Sequence, residues 1–202
     1  RKAADLGSRE AQYTVAEMLE NIEDPNESEE AFKYRMSIAK DLYSCASEQG
    51  LGDASNELAL GLLFHKKYSE ALVALHRGTK NGHDSSARRL SKAFGGKYKN
   101  DDMYFLNIPE DKERSRRYEI IAKYLSRYDY LHPKVPDLDE IVPLPPAKLP
   151  EWDGKIAFQR WYEGEAPPKP SEALMQKLAN QAGLRVDTGL DLETGLPREV
   201  KK

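Results

Sequence analysis

Cys45-Ala46-Ser47-Glu48-Gln49-Gly50, followed by Ala54 and Leu58, decides how this chain folds. Small residues lead to a glycine, and after it a small and an apolar residue stand four positions apart. The same order occurs upstream, where Ala3-Ala4-Asp5-Leu6-Gly7 precedes Ala11-Gln12-Tyr13-Thr14-Val15. It occurs again downstream, where Gly78-Thr79-Lys80-Asn81-Gly82 precedes Ser86 and Leu90. The aligned glycines stand at 7, 50 and 82, at intervals of 43 and 32 residues. Periods of about 20–50 residues mark stacked supersecondary units, and such stacks usually serve as binding surfaces.

Working outward from these glycines, each repeat reads as a pair of helices. Ala11, Val15, Met18, Leu19 and Ile22 give helical spacing over 8–21, and Asp24-Pro25-Asn26 ends that helix. Ser28 then precedes a long helical run over 29–49, closed by Gly50 and Gly52. Asp53 is expected to cap the next helix, with Ala54, Leu58, Ala59 and Leu62 inward, and its partner runs over 68–80 to Asn81-Gly82. Asp84 is expected to cap the third pair, which runs through Leu90 and Phe94 to Gly95-Gly96 and resumes over 111–128. Ala11, Ala54 and Ser86 fall where two helices must approach to about 8 Å, which bulky side chains forbid.

Composition shifts after residue 130. Nine of the twelve prolines lie between 133 and 170, yet Leu138, Ile141, Val142, Leu149, Trp152, Ile156, Phe158, Trp161 and Tyr162 make the stretch too apolar for a solvated linker. It reads as an ordered strap with one helical turn near 154–163, pinned by its aromatic residues. Ser171 caps a last helix over 172–182, Gly183 closes it, and the tail 184–202 is turn-rich and partly frayed. The expected architecture is all-α, with a helical array over 1–130 and a proline-rich extension over 131–202, including one helix, packed on that array.

The 202 residues carry 31 basic and 34 acidic side chains, a net charge of -3, which argues against a general attraction to nucleic acid or anionic lipid. A mean hydropathy of -0.75 suits a thin array with much surface. Cys45 is the only cysteine, so no internal disulfide forms; its place beside Ala46 reads as buried packing. The chain opens at Arg1 in mid-pattern, as expected of an excised or processed fragment whose targeting segment would lie upstream. No apolar run approaches the roughly 20 residues of a membrane span.

Candidate chemistry is sparse. Asp187-Thr188-Gly189 matches the aspartic protease tripeptide, but one copy cannot supply the two carboxylates that share a proton, so it reads as a turn. Asp187, Asp191 and Glu193 lack the alternating ligands and closing glutamate of a calcium loop. His65, His76, His83 and His132 show no metal-ligand spacing and read as surface or loop residues, although for His76, on a helix, a hydrogen bond within the array is an equal reading. Arg114, Arg116, Arg117, Lys123 and Arg127, interleaved with tyrosines, read as a solvated helix face. No phosphate loop, nucleophile elbow or Cys-x-x-Cys is present. The expectation is a non-enzyme without cofactor or metal.

Ala11-Gln12-Tyr13-Thr14-Val15-Ala16 and Ala46-Ser47-Glu48-Gln49-Gly50 resemble the SEL-like repeat family, relatives of the tetratricopeptide repeats. The third copy departs from the family pattern with Ser86 in place of alanine, and the first has Glu23-Asp24-Pro25 where loop glycines are usual. The resemblance covers about residues 1–130. It implies a right-handed α-solenoid of about three helix pairs and protein binding rather than catalysis. Trp152-Asp153-Gly154, Phe158-Gln159-Arg160-Trp161 and Asp187-Thr188-Gly189-Leu190 look like a C-terminal module that accompanies such repeats in proteobacterial proteins. Proteins of that design are similar to immunity proteins of type VI secretion, one set of which neutralises phospholipase D effectors. The resemblance therefore implies a secreted phospholipase effector as partner, a periplasmic location with a cytoplasmic one as the alternative, and a chain that is a monomer or weak oligomer when free. A general scaffold or regulator that binds a signalling or envelope protein is the second reading.

On either reading the first helices present one concave face. Its expected positions are Glu10, Tyr13, Thr14 and Glu17 in the first repeat, then Asp53, Asn56, Glu57 and Leu60, then Ser85, Arg88, Arg89 and Lys92. The face would run from acidic to basic.

Overall fold

A computed structural model describes residues 1–99, 102–166 and 168–197. Pro167, counted above among the strap prolines, and the last five residues of the expected frayed tail lie outside them. Regular structure among the described residues is helical, apart from one isolated antiparallel bridge between Leu184 and Asp191. The chain divides into two compact units, Arg1–Glu163 and Gly164–Lys202.

The first unit holds α1 (Lys2–Asp5), α2 (Arg9–Glu20), α3 (Glu29–Glu48), α4 (Gly52–Phe64), α5 (Tyr68–Lys80), α6 (Asp84–Phe94) and α7 (Lys112–Arg127). It ends with a 3-10 turn (Asp129–Leu131), α8 (Leu138–Ile141) and α9 (Ala157–Glu163). From α1 to α7 each helix packs on its neighbours in chain order.

The three aligned glycines build one turn three times. Gly7, Gly50 and Gly82 have φ of 93°, 89° and 95°, the left-handed region open to a residue without a Cβ. At each, the glycine N–H donates to the carbonyl three residues back, Ala4, Ser47 or Thr79. The following N–H, from Ser8, Leu51 or His83, donates five residues back, to Ala3, Ala46 or Gly78. The residue after the glycine is already the N-cap of the next helix.

That one-residue link corrects two expected caps. Asp53 is not a cap: Leu51 stands at that position without a capping side chain, and Asp53 lies in the first turn of α4. Asp84 is also not a cap. His83 accepts the Ser86 amide at 3.1 Å, and Asp84, the first helical residue, pairs with Arg88 at 2.9 Å. Ser8, Ser28 and Asp111 each cap their helix by accepting the amide three residues on.

Ala54 and Ser86 are fully buried, as close helix approach demands, whereas Ala11 is half-buried. Ser47 and Ser55 hydroxyls meet at 2.7 Å between α3 and α4, and a Cβ on Gly78 would collide with Ser86. Cys45 is exposed rather than buried. Ala46 and Ser47, about 100° and 200° further round the helix, take the inner face of α3.

The strap belongs to the first unit, and charge holds it there. Arg114 and Arg117 of α7 are 7% and 5% exposed, which corrects their reading as a solvated face. Arg117 donates to the carbonyls of Ile141 and Pro150, each at 2.6 Å, and to Glu113 at 2.8 Å. Arg114 donates to the Pro143 carbonyl at 3.1 Å, and to the Ala147 carbonyl and Asp111. Hydrogen bonds from Arg116 and then Arg117 hold the Glu113 carboxyl down to about 2. Trp152 lies 5.6 Å from the Arg117 guanidinium and donates its indole N–H to the Lys155 carbonyl. Trp161 does not pin the strap: it is 69% exposed, and Tyr162 is half-exposed.

In the second unit, Ser171 caps α10 (Glu172–Ala182), and Gly183 closes it at φ 65°. Asp187-Thr188-Gly189 forms a tight turn, with the Gly189 N–H donating to the Arg185 carbonyl. Asp191 accepts from the amides of Glu193 and Thr194. Leu174 and Leu178 are 46% and 51% exposed. Among the described residues no helix is long and apolar enough to cross a membrane.

Candidate partner-binding face

The expected face positions stand on α2, α4 and α6 and fall into unequal groups. Glu10, Thr14, Asp53, Ser85 and Arg88 are exposed; Tyr13, Glu17, Glu57, Leu60, Arg89 and Lys92 are half-buried. Asn56 departs from the expectation and is buried. It sits between Ser55 and Glu57, and the run Ala54-Ser55-Asn56 faces inward where α4 meets both its neighbours.

The α2 and α4 sets come together around two tyrosines. The Tyr13 hydroxyl donates to Glu17 at 2.9 Å, and the Tyr43 hydroxyl on α3 donates to Glu20 at 2.8 Å. The two rings lie 5.7 Å apart. Burial first, and the adjacent carboxylate second, push both phenols well above their ordinary range. Glu17, Glu57 and Asp53 all act on Tyr13, and Glu57 and Glu17 also act on Tyr43. Glu10 instead turns to Arg9, whose hydrogen bond lowers its pKa.

The α6 set makes different contacts. Arg88 pairs with Asp84, and Arg89 donates to the Met103 carbonyl at 3.3 Å. The Lys92 ammonium sits 3.9 Å and the Arg89 guanidinium 5.6 Å from the Tyr104 ring centre. Lys92, foremost through its hydrogen bond, lowers the Tyr104 pKa. A stretch of the loop between α6 and α7 therefore engages the basic end. Tyr43 and Tyr104 escaped the repeat arithmetic because they stand on a second helix and in a loop, and Glu20 because it lies at the end of α2, past the four positions carried from repeat to repeat; only the spacing of Glu10, Tyr13, Glu17 and Glu20 on α2 signals the acidic group.

Two other clusters bear on chemistry. Ser86, His83 and Asp53 lie in line, with Ser86 Oγ 3.0 Å from His83 Nδ1 and His83 Nε2 3.4 Å from Asp53. Ser86 is fully buried and Nδ1 accepts its backbone N–H, so this trio is a helix cap rather than a nucleophile with its base. His76 is not a surface residue. It is 7% exposed, with Nδ1 2.7 Å from the Tyr118 hydroxyl and Nε2 2.7 Å from Asp139. Burial is the main cause that lowers its pKa, against the pull of Asp139. No group of three His, Cys, Asp or Glu able to hold a metal occurs among the described residues.

No curated protein and no solved structure matches this chain. Residues 86–197 match a domain of unknown function, DUF6396. The match begins in α6, takes in the arginines of α7 and the strap they hold, and continues through α10 to the turns beyond it. It covers more than half of the sequence, and the chain belongs to the DUF6396 family.

Proposed function

We propose that this chain is a protein-binding domain in which three helix pairs stack as a right-handed solenoid and grip a protein through the face carried by α2, α4 and α6. The observation that supports this reading most is the glycine turn built three times with the same hydrogen bonds, which sets three helix pairs in the same local frame. The resemblance to SEL-like repeats carries the proposal further, to an immunity protein that binds and neutralises a type VI secretion phospholipase effector in the periplasm. The exposed and half-exposed polar positions of the face suit recognition, and their change from acidic to basic gives direction to the docking.

The test is protection. Cells that express the toxin encoded beside this gene should survive when the chain is co-expressed, and the toxin should copurify with it. The double reversal Arg88→Glu/Arg89→Glu should weaken capture at least about tenfold while the melting temperature stays within a few degrees, since Arg88 is exposed and Arg89 half-exposed. A chain that protects no cell and copurifies with an unrelated protein would be a scaffold instead.

A further inference from the structure

We infer that the outer flank of α2 seats a further helix of the same polypeptide, one that runs into α1 as α3 runs into the Gly50 turn and α5 into the Gly82 turn. The inference goes beyond the proposed function and stands whatever the face on α2, α4 and α6 binds.

Counted from the three turn glycines, Ala11, Val15 and Leu19 of α2 correspond to Ala54, Leu58 and Leu62 of α4 and to Ser86, Leu90 and Phe94 of α6. The residues on α4 and α6 are all buried, whereas those on α2 are all half-buried. Met18, 65% exposed, and Ile22, 46% exposed, prolong the stripe that Ala11 and Val15 begin, at spacings of four, three and four residues. Each of these helices has the next helix of the chain packed on it: α3 on α2, α5 on α4 and α7 on α6. What α4 and α6 have besides is the helix before them, α3 of 20 residues and α5 of 13. At the same place before α2, α1 is four residues long. It meets α2 through the Ala4 carbonyl, which accepts from the Gln12 side chain at 3.4 Å, and leaves the turns that carry Val15, Met18 and Ile22 open.

The turn says what kind of element fits and how it enters. The Gly7 turn has the hydrogen bonds of the Gly50 and Gly82 turns, so a helix continued upstream from α1 lies antiparallel along α2, on the line that α3 takes along α4. At a rise of 1.5 Å per residue, about ten residues ahead of Lys2 bring it level with Ile22. Its composition follows from the same comparison. Four, seven and eleven positions before their glycine, α3 buries Ala46, Tyr43 and Ala39, and α5 buries Gly78, Leu75 and Ala71. The order is small, large, small in both, and Ala3 holds the first of these places before Gly7. A large apolar or aromatic residue therefore belongs three positions ahead of Ala3, and a small residue seven ahead. A second copy of the chain fits this flank less well. Over 17–24 the flank carries Glu17, Glu20, Glu23 and Asp24 with no basic residue, and two copies would set like charges against each other.

The 202-residue chain should be compared with one extended by as many residues as α3 holds, 20, taken from what its gene encodes ahead of Arg1. The extended chain should melt at least about 3 °C higher. In it Met18 should be oxidised by dilute peroxide at least about fivefold more slowly, while Met103, 58% exposed in the loop between α6 and α7, keeps its rate. Met18→Glu should lower the melting temperature of the extended chain and leave that of the 202-residue chain within about 1 °C. The inference is overturned if fewer than about ten residues are encoded ahead of Arg1, if a charged residue or proline stands three positions ahead of Ala3, or if Met18 is oxidised equally fast in both chains. It is also overturned if Met18 of the 202-residue chain becomes protected as the chain is concentrated, which gives the flank to a second copy, or when the toxin is added, which gives it to the partner.

Discussion

His76 shows what a single side chain does to the acid stability of this fold. Its ring links α5 to Tyr118 of α7 and to Asp139 of α8, and Asp139 is shared with Lys80. Because burial holds its pKa below the ordinary imidazole value, the folded chain resists protonation that the unfolded chain accepts near pH 6.5. The unfolded state binds more protons in that window, so stability is complete above about pH 7 and falls as pH drops, by at most about 1.4 kcal/mol per unit. Asp111, Glu113 and Asp139 are held below their ordinary values, so their contribution is lost only lower, below about pH 4. Melting temperatures from pH 7 to 5 should decline in the native chain and level out in His76→Gln; equal slopes would contradict the burial argument. His76 was legible only as a helix residue with partners in reach, because its partners lie 42 and 63 positions away. Arg114 and Arg117 were misread for the same reason: their acceptors are main-chain carbonyls, which have no signature in sequence.

The helices and their turns were legible because their determinants are local. Serine caps, aligned glycines and apolar spacing lie within one turn of the structures they fix. The misplaced caps at Asp53 and Asp84 arose where a link of one residue leaves the cap position to whatever follows glycine, here leucine and histidine. The three glycines share a backbone angle but not surroundings, which separates two effects. An alanine Cβ at Gly7 would meet nothing within 4 Å, whereas at Gly82 it would overlap the Pro133 carbonyl oxygen. Gly7→Ala should therefore cost only the left-handed conformation, about 1–2 kcal/mol. Gly82→Ala should cost more than about 3 kcal/mol, because the strap must also withdraw. Urea denaturation of both variants measures the difference, and equal losses would mean that the strap yields freely.

Across the whole molecule, the composition shift foretold a strap but not its fastening or the boundary of compact structure at Glu163. The candidate face was half legible. Repeat arithmetic assigns the candidate positions to α2, α4 and α6, yet the inward turn of Asn56 and the arrival of Tyr104 over Lys92 depend on packing that no period encodes. Arg117 is the test at this scale. Arg117→Ala removes two carbonyl bonds, the pairing with Glu113 and the stack on Trp152, and should cost about 3 kcal/mol. Arg117→Lys keeps the charge without the fork and should recover less than half of that loss in the same denaturation curves.

Holding a segment by its peptide carbonyls has an evolutionary corollary. Every amino acid brings the same oxygen, so positions such as Pro143 and Ala147 are free to drift among relatives, while the two guanidinium groups opposite the strap are not. Kinship within DUF6396 should therefore be written more plainly in α7 than in the ribbon it clasps.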